Sequence, residues 1–146
     1  MIKKEMIALD VDENDKVKVI KHIIKMAFNT GLIGDEELFL KAVLKREADV
    51  STSIGFTVAI PHGKSSTVKE PFISYLRTKK PFIWDKGTKD MDQNIFLIGV
   101  PKEGGDKIHL KYLSEISKKL LDENFRKRLF ASKTVDSVYE LLTTIV

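Results

Sequence analysis

Apolar and polar residues alternate along this chain with two different periods, and the changes of period mark out its elements. Met6 to Leu9 is a short apolar run that reads as an edge strand. From about Asp15, Val17, Ile20, Ile24, Ala27 and Phe28 recur at helical spacing, with Asn14 or Asp15 placed to cap the start and Gly31 to end it. Asp35 caps a second helix that runs to about Ala48, with Glu36 and Glu37 in a first turn that favours negative charge. Val50 to Gly55 reads as a polar turn. Phe56, Val58 and Ile60 then alternate with Thr57 and Ala59, the period of a half-buried strand, and Pro61 has no N–H to continue the pairing. This predicts His62 on a strand-end loop, followed by a second loop from Gly63 to Thr67.

In the second half, Phe72 to Leu76 and Phe82 to Trp84 read as strands broken at Lys79-Lys80-Pro81, with Asp85 to Asp92 as a polar connection. Asn94 to Val100 is a nearly unbroken apolar run, the mark of a strand buried on both faces. The spacing then predicts a helix capped by Asp106, with His109, Leu113, Ile116 and Leu120 on one face. Two packing helices follow, one from Asp122 with Phe125 and Leu129, one capped by Thr134 with Val138, Leu141, Leu142 and Ile145. Together these elements predict an α/β fold.

Composition narrows what such a fold is expected to do. The 146 residues suit a single domain, and 42% hydrophobic residues suffice for a core. With no cysteine, disulfides, thiolate metal sites and cysteine nucleophiles are excluded. No apolar run reaches the roughly 20 residues of a membrane helix, and Met-Ile-Lys-Lys-Glu-Met lacks a signal-peptide core, so a cytoplasmic protein without direct membrane insertion is expected. The net charge of +4 comes from 25 basic and 21 acidic residues that are interspersed. That suits an acidic partner better than nucleic acid, which calls for a basic stripe with stacking aromatics.

The candidate chemistry is sparse. His62 lies beyond a strand end, where α/β sheets bind ligands, although a loop hydrogen bond also accounts for a lone histidine. His109 falls near a helix N-terminus on the inward stripe, where free N–H groups favour anions and disfavour a second proton on the ring; a core histidine bonded to a carbonyl is the alternative. Leu38, Ala42 and Arg46 follow at i, i+4, i+8, which predicts Arg46 on a core-facing stripe. There it pairs either with a carboxylate such as Glu47 or Asp49, or with a phosphoryl group. His22 lies with Lys18 and Lys25 on a polar face and reads as surface. Gly63-Lys64-Ser65 lacks the upstream glycine frame of a nucleotide-binding loop.

Joined in order, Arg46-Glu47, Ser51-Thr52-Ser53-Ile54-Gly55, Val58-Ala59-Ile60-Pro61-His62-Gly63-Lys64 and His109-Leu110 with Leu113 resemble the enzyme IIA domain of the fructose and mannitol class of the bacterial phosphoenolpyruvate:sugar phosphotransferase system. Lys69-Glu70-Pro71-Phe72 and Ile83-Trp84 agree, so the resemblance spans nearly the whole chain. It implies a three-layer α/β domain, a mixed β-sheet flanked by helices. It further implies a phosphocarrier that accepts a phosphoryl group from phospho-HPr and passes it to enzyme IIB, with neither cofactor nor metal. His62 matches the phosphorylated residue, His109 the second active-site histidine and Arg46 the charge-balancing arginine. Thr52 and Ser53 match phosphate-binding support, Ser53 replacing a glycine common in the family. A chain without cysteine or membrane spans implies that IIB and the membrane enzyme IIC are separate chains, with a fructose-like sugar as the expected cargo. A regulatory module resembling nitrogen-type enzyme IIA proteins is the alternative on the same fold.

Overall fold

The computed structural model describes residues 2–145. Among them, six strands form one mixed sheet in the order β1-β5-β6-β3-β2, with β4 also on β6. After a 3₁₀ turn at Lys4–Met6, β1 (Ile7–Val11) forms the predicted edge strand, parallel to β5 (Phe72–Asp85). The long hairpin partner of β5 is β6 (Asp90–Pro101). Alternate residues of these two strands enter two different cores, which is why the sequence of β6 shows no polar phase. Tyr75, Phe96 and Ile98 pack under α3 (Gly105–Leu121), α4 (Glu123–Ala131) and α5 (Val135–Leu142). Phe72, Ile95 and Leu97 pack under α1 (Lys16–Asn29) and α2 (Glu36–Asp49). The fold is therefore helices, sheet, helices: three layers.

Helix starts follow the sequence closely. The carboxylates of Asp15, Asp35 and Asp122 and the hydroxyl of Thr134 each accept a backbone N–H in the first turn of the helix they begin. The stripes are rotated from the predicted ones. In α1 the buried positions are Val19, Ile20, Ile23, Ile24 and Ala27, while Phe28 is exposed. In α2 they are Phe39, Val43 and Glu47, so Arg46 does not continue a core-facing stripe. The start of α3 also differs: Gly104, at φ 71°, is its N-cap, and Asp106 sits inside the first turn.

The region around His62 corrects the sequence reading most. Phe56 and Thr57 are not strand residues; both have left-handed backbones, φ 58° and 64°, and form the turn between β2 (Ser53–Gly55) and β3 (Val58–Ala59). A bulky residue in that region costs about 1–2 kcal/mol, and the Arg126 guanidinium stacked 4.0 Å from the Phe56 ring centroid helps hold it. Val50 to Gly55 is a turn only at its start. Pro61 interrupts pairing without ending it: its carbonyl accepts from Ile98 N–H, and β4 (His62–Ser65) then runs parallel to β6. His62 is thus the first residue of a strand, and Gly63 to Ser65 are not loop. Likewise Lys79-Lys80-Pro81 does not break β5. These three residues are exposed, and a shift of register between Arg77 and Phe82 absorbs the missing N–H of Pro81.

Helix α2 lies directly on β4, and Gly63 permits it. A Cβ there would come within 2.8 Å of Val43 Cγ2 and 3.0 Å of Phe39 Cε1. Gly63→Ala is expected to destabilise the protein by about 1–3 kcal/mol through overpacking. Equilibrium urea unfolding measures this, and an unchanged midpoint would mean that α2 is free to move off the strand.

Candidate active site

The parallel register of β4 on β6 sets His62 beside Ile98, at the end of the sheet where α3 begins. Its Nδ1 lies 3.1 Å from the Ile60 carbonyl oxygen two residues back. A carbonyl only accepts, so this contact places the ring proton on Nδ1 and leaves the lone pair on Nε2. His109, the fifth residue of α3, brings its ring within 4.2 Å of the His62 ring, centroid to centroid, at 35° between planes. The Nε2 of His109 is buried and has no hydrogen-bond partner among the described residues. A buried polar atom left unpaired is costly, and such atoms gather where a ligand completes the set.

Both imidazoles are held below their ordinary pKa. For His62 the chief cause is burial, reinforced by His109 and Arg46; the Ile60 carbonyl and the Glu47 carboxylate act in the opposite direction. For His109 burial again leads, followed by Arg46, with Asp106 opposing and Lys64 adding to the shift. Both rings therefore favour the neutral form at pH 7, the state in which an imidazole nitrogen keeps a lone pair free.

These groups line a cleft of about 650 Å³ between α2, β4 and the start of α3. Arg46 is in it. Leu38 and Ala42, its partners at i, i+4, i+8, line the same cleft, so the stripe seen in the sequence is real but faces the site. One Arg46 Nη atom donates to the Val50 carbonyl at 2.8 Å, which ties the guanidinium to the C-terminal end of its own helix. Neither Glu47 nor Asp49 pairs with it. The Glu47 carboxylate instead turns inward, buried, and receives the Thr52 hydroxyl and Lys16 Nζ. Across the cleft, Lys64 on β4 holds Asp106 on α3 at 2.7 Å. A larger hollow, about 900 Å³, lies among α3, α4 and α5, but neither histidine reaches it.

Thr52 and Ser53 are not among the cleft-lining residues. Thr52 braces α2 through Glu47, and its carbonyl accepts from Ile60 N–H, so it acts on the segment that holds His62. Ser53 faces the buried Asp92 carboxyl without closing a hydrogen bond of normal geometry, and burial pushes that carboxyl up to about 6. His22 is exposed on α1, as the polar face predicted. The sequence reading passed over Glu47 as a structural residue and the Lys64–Asp106 pair. The signal for Glu47 was present, since Phe39, Val43 and Glu47 recur at i, i+4, i+8.

With this geometry established, comparison with known proteins is decisive. A family model described as "Phosphoenolpyruvate-dependent sugar phosphotransferase system, EIIA 2" matches residues 1–145. The chain belongs to that family. Its similarity to a fructose-specific EIIA component of Haloferax volcanii is 30% identity over 97% of this chain and 92% of that protein. To a fructose-like EIIA component of Escherichia coli it is 34% identity over 93% and 90%. Among solved structures, the nitrogen regulatory protein IIA-Ntr of Neisseria meningitidis superposes with a TM-score of 0.87 at 25% identity, covering 97% of this chain and 95% of that one. The mannitol IIA domain of E. coli, solved in complex with phosphorylated mannitol enzyme IIB, superposes with a TM-score of 0.82 at 21% identity, covering 99% of each chain. The resemblance read from the sequence and its three-layer fold are both borne out. EIIA components are phosphotransferases, and among the described residues no helix is long and apolar enough to cross a membrane.

Proton titration of the two rings follows from their burial. By NMR, His62 and His109 are expected to titrate below 6.5, the ordinary histidine value. As pH falls through 6.5 the unfolded chain takes up protons that the folded rings refuse, so their contribution to stability is lost in that direction. Asp92, raised above the usual carboxyl range, acts with the opposite sign, its contribution being lost as pH rises through about 6. Residue-resolved titration is therefore the decisive readout, and midpoints at or above 6.5 would contradict the buried, neutral site.

Proposed function

We propose that this chain is a phosphocarrier: Nε2 of His62 takes a phosphoryl group from phospho-HPr and passes it to enzyme IIB, for uptake of a fructose-like sugar through a membrane enzyme IIC. The observation that carries this reading is the His62 Nδ1 contact with the Ile60 carbonyl, which leaves Nε2 as the free nitrogen, beside the unpaired Nε2 of His109. As the lone pair forms the new N–P bond, the bond to the donor imidazole breaks and the donor ring leaves. The reverse geometry serves the next transfer. A phosphoryl group brings about −1.5 to −2 of charge. Arg46 balances it, and His109 in its Nε2–H tautomer donates a hydrogen bond to its oxygens. Transfer of this kind asks for positioning and charge stabilisation more than covalent chemistry from the protein. The fructose-specific names of the relatives favour transport over the nitrogen-regulatory role.

Incubation with phosphoenolpyruvate, enzyme I and HPr is expected to add one acid-labile phosphate, seen by intact mass, and His62→Ala to abolish it. A folded wild-type protein that stays unmodified would end the carrier reading. His109→Ala and Arg46→Ala are each expected to slow transfer roughly tenfold to a hundredfold, since a charge-assisted hydrogen bond contributes about 1.5–3 kcal/mol. Stopped-flow transfer rates equal to wild type would remove that role from the residue concerned.

A further inference from the structure

Hydrogen bonds in series join α1 to the reacting ring. Lys16 Nζ donates to Glu47 Oε2 at 3.4 Å, and the Thr52 hydroxyl donates to Oε1 of the same carboxylate. The Thr52 carbonyl accepts from Ile60 N–H at 3.0 Å, and the Ile60 carbonyl faces Nδ1 of His62 at 3.1 Å. Ile60 belongs to neither β3 nor β4, so no strand ladder sets its peptide groups. It precedes Pro61, and a residue before proline is confined to extended backbone; once Thr52 holds the N–H, the carbonyl has little freedom to turn. The hold on the ring therefore runs back to one carboxylate.

That carboxylate is out of place as packing. Glu47 is buried and continues the stripe of Phe39 and Val43, where a leucine would fill the space without desolvating a charge. Buried ion pairs are often no more stabilising than apolar side chains of similar volume. Beyond burial and the Asp90 charge, Glu47 also pushes the Asp92 carboxyl upward, a further cost of an ionised group at this place. Unlike Arg46 before it, Glu47 does not line the cleft, so it does not meet a phosphoryl group directly. What an acid supplies at position 47 and an apolar residue does not is an acceptor for Thr52.

We propose that Glu47 is a positioning residue: through Thr52 and the Ile60 peptide it holds His62 in the Nδ1–H tautomer and so keeps Nε2 free for the phosphoryl group. The inference rests on the carrier reading and adds to it the group that selects the reacting nitrogen. Neither Glu47 nor Thr52 touches the transferred group; both act on which nitrogen of His62 carries the proton.

The test reads the His62 tautomer directly, from the nitrogen-15 shifts of the two ring nitrogens at about pH 8, where the ring is neutral. Wild type is compared with Glu47→Leu, Thr52→Val and the conservative Thr52→Ser, and each protein is also loaded by phospho-HPr. Glu47→Leu and Thr52→Val are both expected to shift His62 toward the Nε2–H tautomer. Loading then slows in proportion to the rings left with a free Nε2, about threefold to tenfold, while Thr52→Ser, which keeps the hydroxyl, stays near wild type in both readouts. Urea unfolding separates this from a loss of stability, and Thr52→Val decides the matter alone if Glu47→Leu does not fold. A wild-type tautomer in the folded variants would overturn the inference, and so would slowed loading with the tautomer unmoved. If wild type accepts no phosphate, the carrier reading fails, and the tautomer comparison still decides whether Glu47 sets the free nitrogen.

Discussion

The site depends on one short contact, from the His62 ring to the carbonyl of Ile60. Ile60 and Pro61 lie between β3 and β4, and both strands pair with β6 in parallel at the same offset, so the chain passes the proline without losing register. The imidazole reaches back to this segment, so that Nδ1 is occupied by the Ile60 carbonyl and Nε2 is free. A histidine on an ordinary loop would sample both tautomers and many rotamers. Here His62 is fixed in a strand paired to β6, and α2 lies close over the next residue, Gly63.

Around that ring the fold sets a balance of charges. Burial, the neighbouring imidazole and Arg46 keep protons off His62, while the Ile60 carbonyl and, more weakly, Glu47, itself buried and braced by Thr52 and Lys16, act against them. A ring driven much further down would be a poorer base, and a ring that stayed protonated would be no nucleophile at all. The three layers contribute separately: α2 brings Arg46, the central strands bring His62, and the start of α3 brings His109. No local segment holds the site by itself.

How much of this was legible in the sequence depends on the range of the cause. The starts of α1, α2, α4 and α5 were readable because an Asp or Thr cap acts on its own first turn, and the doubly buried β6 because its apolar run is unbroken. Arg46, His62 and His109 could be singled out by residue type and by motif order. The surroundings of His62 could not be read so well. Phe56 and Thr57 adopt backbones that alternating apolar residues argue against, held in part by Arg126 from a helix 70 residues later. Pro61 and Pro81 both read as strand ends because the loss of an N–H is local, whereas the pairing that carries the chain past them is not. Arg46 was read as core-facing because a helical period gives a stripe without saying which side of the helix the core occupies.

In the proposed carrier, Nδ1 of His62 is occupied by the Ile60 carbonyl and Nε2 carries the phosphoryl group. Phosphorus-31 to nitrogen-15 coupling in the phosphorylated, ¹⁵N-histidine-labelled protein tests it directly. A coupling to Nε2 of His62, with Nδ1 still protonated, is the predicted result. Phosphorus bound to Nδ1, or to a ring nitrogen of His109, would contradict it.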